Sequence, residues 1–217
     1  MVRHAIAPLD KEARREAILR AASDLFIAGD GTLPSAAEIA AAAGLAKGTV
    51  YLYFRTKEEI FMALLLQGLE ILLSAIATIF RLAKGKHADK VSVFCATYID
   101  HLHRYPELLR LDALGYAMLE NNIEPTKLRM FKRGFAEKLV QTGQVIDQAL
   151  KLTDGRGVRL VMRTFALTRG LWQSSRLSEH DESFEGEPIL AAIHPEFSTE
   201  LREALTEYWR GALAGPK

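Results

Sequence analysis

The sequence predicts an all-α protein with two domains, and three observations carry this prediction. No segment shows the alternation of polar and apolar residues that a half-buried strand requires. Several long segments instead repeat apolar residues every three or four positions, as an amphipathic helix does. Helix-ending glycines and a helix-starting proline separate these segments, for example at Gly29, Gly85 and Pro106.

The first of these segments begins after a short N-terminal stretch. Residues 1–9 are expected to form a flexible arm, and a first helix is expected over residues 10–28. One apolar stripe of that helix is formed by Ile18, Ala22, Leu25 and Phe26. Gly29 follows at a position typical of a helix end.

Residues 35–54 predict two short helices joined by a glycine turn. Ser35 followed three residues later by Glu38 is a capping box, in which each side chain bonds the other residue's backbone. Gly44 stands where a left-handed residue ends a helix without a Cβ clash. In the second helix, Val50 and Phe54 are spaced to face a core. The pattern predicts a helix-turn-helix whose second helix enters the DNA major groove.

The remaining helices are expected to form a second domain. A long connecting helix is predicted over residues 57–83, and the start of the next domain is placed at residue 58. Further helices are expected at about 89–104, 106–120, 125–152, from the glycines at 155 and 157 to about 178, and 198–213. An acidic loop is expected between the last two, over residues 180–195.

Composition excludes several classes of protein. The chain has 217 residues, 49% hydrophobic and 25% charged, which suffices for one large core or two small ones. No apolar run approaches the roughly 20 residues of a membrane span. We expect no signal peptide and a cytoplasmic location, which the single cysteine, Cys95, also favours. Residues 1–57 carry eight Lys+Arg against six Asp+Glu, so any DNA-binding surface must be local.

A longer motif makes the helix-turn-helix prediction more specific. The run from Gly44 to Phe54, followed by Lys57 to Phe61, resembles the DNA-binding domain of the tetracycline-repressor (TetR) family. The resemblance covers the first quarter of the chain. It implies an N-terminal three-helix DNA-binding domain (residues 10–57), a C-terminal helical domain (58–217) for ligand binding and dimerisation, and about nine helices. Ala46 and Tyr53 depart from the Ser or Thr and the His that are common at these positions.

By this resemblance, the chain is expected to be a homodimeric repressor that binds a palindromic operator and is released by a small effector. Two recognition helices would then lie about 34 Å apart, one turn of duplex. The expected DNA contacts come from the two motif helices and the start of the fourth helix. They are Ser35, Ala36, Ala46, Lys47, Gly48, Thr49, Tyr51, Leu52, Tyr53 and Lys57. For Tyr51, a place in the core is the alternative.

Two sets of residues in the second domain are assigned roles. The last two helices carry apolar stripes that the resemblance places in a four-helix bundle between two subunits. That interface is expected to contain Val158, Val161, Met162, Phe165, Leu201, Leu205, Tyr208, Trp209 and Leu213. The alternative for these stripes is the core of a single chain, which is expected for half of their residues. The central helices carry residues suited to a mostly apolar effector pocket. Those residues are Phe94, Tyr98, His101, Leu102, Leu114, Met118, Phe165 and Trp172. For each of them, a place in the core without a ligand is the alternative.

Other chemistries find little support in the sequence. His101 and His103 point apart on a helix, so with Cys95 they make a poor metal site, and no metal or cofactor is expected. Apolar neighbours of Cys95 argue against a redox sensor. A basic cluster at Lys127, Arg129, Lys132 and Arg133 is interpreted as a solvated face balanced by Glu124 and Glu137. No catalytic motif supports an enzyme, whereas a DNA-binding activator or architectural protein without an effector remains an alternative.

Overall fold

The computed structural model describes residues 8–115, 120–176, 189 and 196–214. Within these residues the chain is helical and has no strand. The helices are α1 (Pro8–Ala28), α2 (Ala36–Ala42), α3 (Lys47–Tyr53), α4 (Lys57–Leu82), α5 (His87–Arg104), α6 (Glu107–Leu114), a 3-10 helix (Glu120–Asn122), α7 (Pro125–Leu150), α8 (Arg156–Arg176) and α9 (Phe197–Ala214).

The helix bounds differ from the predicted ones by one or two residues at several ends and by six residues at the end of α6. Helix α1 begins at Pro8, inside the predicted arm of residues 1–9, because proline is well tolerated in a first helical turn. The rest of that arm lies outside the described residues. Helix α6 ends at Leu114, before the predicted end at residue 120. The predicted loop over residues 180–195 is described only at residue 189.

Contacts divide the chain into two compact units. The first unit contains residues 1–68 together with residues 110–132. In its core, α1 packs on α2, α2 packs on α3, and the rings of Phe26 and Phe61 lie 5.6 Å apart. This grouping places most of α6 and the start of α7 with the helix-turn-helix. The boundary between the two compact units therefore differs from the predicted domain boundary between residues 57 and 58. The assignment of separate functions to residues 10–57 and 58–217 stays a prediction.

The second unit contains residues 69–109 and 133–217 and is built around α9. Helix α9 packs against both α5 and α8. Trp209 is fully buried, with its ring 4.7 Å from that of Phe94 and 5.5 Å from that of Phe80. Its indole N–H donates to the Thr164 hydroxyl at 2.9 Å, so the one polar atom of the ring is satisfied inside the core.

Helices α7 and α8 pack unusually closely at the turn between them. A Cβ on Gly157 would overlap the carbonyl oxygen of Gly143, so only glycine allows this approach. The buried carboxylate of Asp147 accepts backbone N–H bonds from Gly155 (2.9 Å) and Gly157 (2.6 Å). An anionic acceptor at the start of α8 also complements the helix dipole. The turn is thus held by tertiary packing and by a buried cap.

Helix α4 is long and apolar enough to cross a membrane by length and composition alone. Half of its most apolar window is buried inside the protein, however, which is typical of a core helix. Its apolar residues, among them Ile60, Phe61, Leu72 and Leu73, lie in the cores of the two units.

Candidate nucleic-acid interface

The helix-turn-helix begins with the predicted capping box at α2. The Glu38 backbone N–H donates to the Ser35 hydroxyl at 3.3 Å, and the Ser35 N–H donates to the Glu38 carboxylate at 2.8 Å. Hydrogen bonds from the side chain and the backbone N–H of Ser35 to the Glu38 carboxylate hold the pKa of Glu38 below its usual value, because they favour the ionised form. Gly44 then has φ of +65°, a left-handed conformation that favours glycine. Both features are therefore present as the motif predicts.

Helix α3 divides its side chains between the core and solvent. Val50 and Phe54 are 1% and 5% exposed and anchor the helix. On the outer side, Tyr51 is 45% exposed and Leu52 is 77% exposed. An apolar side chain left so open contributes little to the packing of its own chain. The outer side also carries Lys47, which is exposed.

The other predicted DNA contacts fall into three groups. Ser35, Ala46 and Gly48 are exposed, and Thr49 and Tyr53 are half-buried. Ala36 is only 7% exposed, so its side chain is not available to DNA and any contact must come from its backbone N–H at the start of α2. The core alternative for Tyr51 is wrong, because nearly half of that side chain is open. For the residues as a set, contact with DNA stays a prediction.

Lys57 lies at the start of α4 and is half-buried. Its ammonium group donates to the carbonyl oxygen of Leu33 at 3.3 Å, which ties the loop before α2 to α4. Because an ammonium group has three donors, this bond leaves two for a phosphate. The neighbouring Arg55 is exposed.

A buried ion pair that the sequence did not indicate lies behind the motif. The carboxylate of Glu59, 3% exposed, accepts from the Lys127 ammonium group at 2.6 Å and from the Arg55 backbone N–H at 2.8 Å. Thr56, next to it, donates its hydroxyl to the carbonyl of Asn122 at 3.4 Å. These contacts join the α3–α4 turn to the start of α7, 68 residues away.

A second long-range contact holds α1. The guanidinium of Arg110 donates to the Gly29 carbonyl at 2.9 Å and lies 4.8 Å from the ring centre of Phe26. It therefore satisfies the end of α1 and makes a cation–π contact at once. Together with the Glu59–Lys127 pair, it explains why residues 110–132 group with the helix-turn-helix.

The predicted solvated basic cluster on α7 is thus partly wrong. Lys127 pairs with Glu59 and not with Glu124, whose carboxylate instead accepts the Thr126 backbone N–H at 2.9 Å. Arg133 pairs with Glu137 at 2.8 Å, as expected. The misassignment arose because Glu59 is distant in sequence and near in space.

The residues predicted to line an effector pocket lie in different settings. Phe94, Tyr98 and Leu102 are buried, and the Tyr98 hydroxyl is bonded to that of Thr168 at 3.0 Å. Leu114 belongs to the first unit, whereas the other described members belong to the second. His101, Leu114, Phe165 and Trp172 are half-buried. Met118 lies outside the described residues, and the pocket as a whole stays a prediction.

The predicted dimer interface requires a correction. Val161, Leu201, Leu205 and Trp209 are all 0–2% exposed within a single chain, so they cannot contact a second one. They fill the space between α8, α9 and α5, because the apolar stripes of these helices face each other. Met162, at 44%, is the most exposed of the set, while Val158, Phe165, Tyr208 and Leu213 are half-buried.

Cys95 and the histidines behave as ordinary core and surface residues. Burial raises the pKa of the Cys95 thiol, and a less ionised thiol is a weaker nucleophile. The imidazole of His103 contacts the Ser198 hydroxyl at 2.6 Å. Within the described ranges, no three His, Cys, Asp or Glu side chains come together as metal ligands.

Comparison with known proteins covers both units. The family model described as "Bacterial regulatory proteins, tetR family" matches residues 18–64. The model described as "Tetracyclin repressor-like, C-terminal domain" matches residues 66–216, well over half of the chain. No curated protein sequence matches.

Several solved structures share the fold at low sequence identity. A TetR-family transcriptional regulator from Mesorhizobium loti has TM-score 0.58 and 20% identity, over 94% of this chain and 96% of that one. One from Syntrophomonas wolfei has TM-score 0.62 and 17% identity, over 95% and 98%. The regulator FadR from Bacillus subtilis, solved in complex with stearoyl-CoA, has TM-score 0.53 and 18% identity, over 89% and 98%. With both family models matched and the helix-turn-helix in place, the chain belongs to the TetR family of DNA-binding transcriptional regulators.

Proposed function

We propose that the protein is a homodimeric, cytoplasmic repressor that binds a palindromic operator through α3 and is released by a small, mostly apolar effector. The proposed DNA contacts are supported by the exposure of side chains on the outer side of α3. There, Leu52 and Tyr51 are open to solvent while Val50 holds the helix to the core. An exposed apolar side chain on such a helix suits the methyl group of thymine.

The proposed contacts divide into two roles. Lys47 and Lys57 supply positive charge for phosphates, which fixes position without reading sequence. Thr49 and Leu52 are placed on the helix that reads base edges. Tyr51 and Tyr53 supply hydroxyl groups, which bond phosphates more often than bases in such interfaces. The start of α2, after Ser35, adds backbone N–H groups and the positive end of a helix dipole, which favour an anion.

Two single substitutions test the division of roles. Lys57→Ala is expected to weaken binding to all duplexes about equally and to flatten the dependence of affinity on salt. Thr49→Ala is expected to relax the preference among operator variants. A mobility-shift assay on the chain's own upstream DNA, at several salt concentrations, measures both. The reverse pattern would exchange the two assignments.

A matched pair of apolar substitutions tests Leu52. Leu52→Ala is expected to lower operator affinity about five- to tenfold, which corresponds to about 1–1.4 kcal/mol, because it removes an apolar contact with a thymine methyl group. Ile27→Ala removes an exposed apolar side chain, 49% open, from the end of α1 and serves as control. Equal affinity of the two variants would remove Leu52 from the interface.

The effector class is proposed from the second unit and from a structural neighbour. The core of that unit is rich in aromatic and aliphatic side chains, such as Phe80, Phe94 and Tyr98. The B. subtilis neighbour, with the same fold, was solved with stearoyl-CoA. A ligand with an apolar chain therefore suits the proposal better than a sugar. A thermal-shift panel of hydrophobic compounds, followed by release of bound DNA, tests it.

The alternative is a DNA-binding regulator that responds to no small molecule, an activator or an architectural protein. Tight packing favours it, because Phe94 lies within 5.5 Å, ring centre to ring centre, of Phe80, Tyr98 and Trp209. A core already filled in this way leaves a ligand little space at that point. DNA binding that persists through the whole compound panel would favour this alternative.

A further inference from the structure

Helix α8 carries three arginines that have no role in the proposed contacts with DNA. Arg156, Arg159 and Arg163 are separated by three and four residues, so they lie along one side of the helix. Arg159 and Arg163 are exposed, whereas Arg156 is half-buried. Together with Leu160 of α8 and Ala212 of α9, they line a cavity of about 140 Å³. This cavity, called the arginine cavity, lies between the first turns of α8 and the last turn of α9.

The positive charge of the arginine cavity is not neutralised by the protein. Within the part of the chain that the structure describes, none of the three arginines forms an ion pair. The guanidinium of Arg156 donates to the carbonyl oxygen of Ala212, which uses one of its five N–H groups. Like charges one turn apart on a helix destabilise it, because they repel each other. A bound anion would remove that repulsion.

Three acidic residues lie near the arginine cavity in the chain. Asp154 precedes α8 and Glu207 lies on α9, and both are exposed. Neither forms an ion pair among the described residues, and neither lines the cavity. Buried Asp147 is already engaged by the backbone N–H groups at the start of α8. The exposed carboxylates therefore weaken the positive potential of the cavity without filling it.

A buried hydroxyl group beside Arg163 lacks an acceptor. The Tyr208 hydroxyl oxygen is buried and has no hydrogen-bond partner within the described ranges, although buried polar groups are nearly always bonded. Burial raises the pKa of this hydroxyl, and the nearby guanidinium groups of Arg163 and Arg156 oppose that rise. The Arg163 guanidinium thus lies near the hydroxyl without hydrogen-bond geometry. The hydroxyl keeps its proton and can donate it to an acceptor that enters beside Arg163.

We propose that the arginine cavity binds the phosphate group of an anionic ligand, held by Arg156, Arg159 and Arg163 with the Tyr208 hydroxyl as a further donor. Guanidinium groups bind phosphate through paired N–H bonds. A tetrahedral dianion offers oxygens to donors on several sides, whereas a carboxylate offers two oxygens in one plane. None of these four residues belongs to the predicted DNA contacts or to the predicted effector pocket.

The exposure of Arg159 and Arg163 leaves the arginine cavity open to solvent. Inorganic phosphate and the phosphate of an organic ester can therefore both enter it, the rest of an ester remaining outside. The inference does not rest on operator binding or on an apolar effector. It fails or succeeds separately from the proposed function.

Titration calorimetry of the full chain with inorganic phosphate, at ionic strength held constant with sodium chloride, tests the site. Saturable binding of one phosphate per chain is expected. The double variant R159Q/R163Q removes two of the three charges and is expected to lower phosphate affinity at least about tenfold. The control R81Q/R202Q removes two exposed charges elsewhere in the second unit and should bind as the wild type does. No saturable binding, or equal losses in the two double variants, would overturn the site.

Two single substitutions on α9 are expected to act in opposite directions. Tyr208→Phe removes only the hydroxyl group and should lower phosphate affinity about three- to tenfold. Glu207→Gln removes a neighbouring negative charge and should raise affinity about twofold, a gain that fades as salt is raised. A general disturbance of α9 would weaken binding in both variants. Unchanged affinity in Tyr208→Phe would overturn the role of the hydroxyl, and a loss in Glu207→Gln would overturn the electrostatic account.

Competing anions distinguish the sources of the phosphate group. Glycerol 3-phosphate that binds more tightly than inorganic phosphate would identify an organic ester as the ligand, and equal or weaker binding would identify phosphate itself. Acetate is expected to bind at least about tenfold more weakly than either, because it has one charge and two oxygens. Acetate that binds as tightly as phosphate would overturn the assignment to phosphate.

Assembly must be measured alongside, because Tyr208 also belongs to the predicted dimer interface. Sedimentation velocity and circular dichroism of R159Q/R163Q and Tyr208→Phe, without phosphate, are expected to match the wild type. Phosphate affinity that falls only in variants with altered sedimentation would overturn the site, since affinity would then follow assembly and not the cavity.

Discussion

The helix pairs α2–α3 and α7–α8 each turn at a glycine with positive φ, yet they use it differently. At Gly44, φ is +65° and an added Cβ would meet nothing, so only the backbone conformation requires glycine. At the second turn, Gly155 has φ of +73°, and nearby Gly157 lies against the backbone of Gly143. The surface at the α2–α3 turn is therefore left uncovered, whereas the α7–α8 turn brings the two helices into close contact.

This difference accords with the roles of the two regions. A helix that reads DNA must be oriented firmly while its outer side remains uncovered. Local signals accomplish this in α2–α3, through the capping box of Ser35 and Glu38 and the glycine turn. A scaffold helix has no such constraint, and α8 gains stability from contact with α7 along its first turn. Substitutions at the two turns should therefore have very different costs.

The largest effect is expected for Gly157→Ala. The added methyl group would overlap the Gly143 carbonyl, so α7 and α8 must separate, at a cost of at least about 3 kcal/mol in the free energy of unfolding. Urea denaturation followed by tryptophan fluorescence measures this, because both tryptophans, Trp172 and Trp209, lie in the second unit. Gly134→Ala on α7, where a Cβ meets nothing, is the control. Equal stability of the two variants would refute the close packing.

A smaller effect is expected for Lys127→Met, which tests how far the helix-turn-helix depends on distant residues. The substitution leaves the buried Glu59 carboxylate with the Arg55 N–H alone, at a cost of about 1–3 kcal/mol. Circular dichroism during urea denaturation measures the loss. Lys132→Met, which removes an ion pair from a more exposed ammonium group, should cost less than about 1 kcal/mol. Similar losses would contradict a special role for Glu59.

Gly44→Ala should cost about 1–2 kcal/mol, since the methyl group meets no atom and only the left-handed conformation opposes it. Gly44→Asn should cost less, because asparagine tolerates that conformation better. Thermal unfolding by circular dichroism ranks the two variants. If alanine and asparagine proved equally costly, a steric contact and not the backbone would be responsible.

The smallest effect is expected for Glu38→Gln and appears only in acid. Hydrogen bonds from Ser35 lower the pKa of Glu38 in the folded state from 4.5. Its contribution is therefore present above pH 4.5 and is lost as pH falls through the lower, folded-state pKa. Glutamine can still cap but does not titrate, so melting temperature should fall less steeply below pH 4.5. Equal slopes in the variant and the wild type would contradict a lowered pKa of Glu38 in the folded state.

Much of the fold followed from local patterns. The sequence alone predicted α2 and α3 from the capping box, the glycine turn and the spacing of Val50 and Phe54. These signals could be recognised because each acts within a few residues. The long apolar segment predicted α4 to within a residue at its end. The motif from Gly44 to Phe61 also identified the family that the two family models confirm.

The apolar stripes of α8 and α9 were harder to interpret. The family resemblance placed Val161, Leu205 and Trp209 against a second subunit, yet these residues are buried inside one chain, which was the alternative. An apolar stripe predicts which side of a helix is buried but not which part of the molecule covers that side. The side left open carries Arg163, Gly170 and Glu200, which have no distinctive pattern in sequence. Only the packing of the helices made that face visible.

The sequence by itself thus determined the helices, the recognition turn and the family, because caps, turns and periodicity are interactions between near neighbours. The tertiary structure decided which apolar stripes meet, and it decided that Glu59 pairs with Lys127 and that Gly157 must touch Gly143. Those outcomes depend on which distant segments come into contact. Such contacts are selected by the free energy of the whole packed core and not by any one segment.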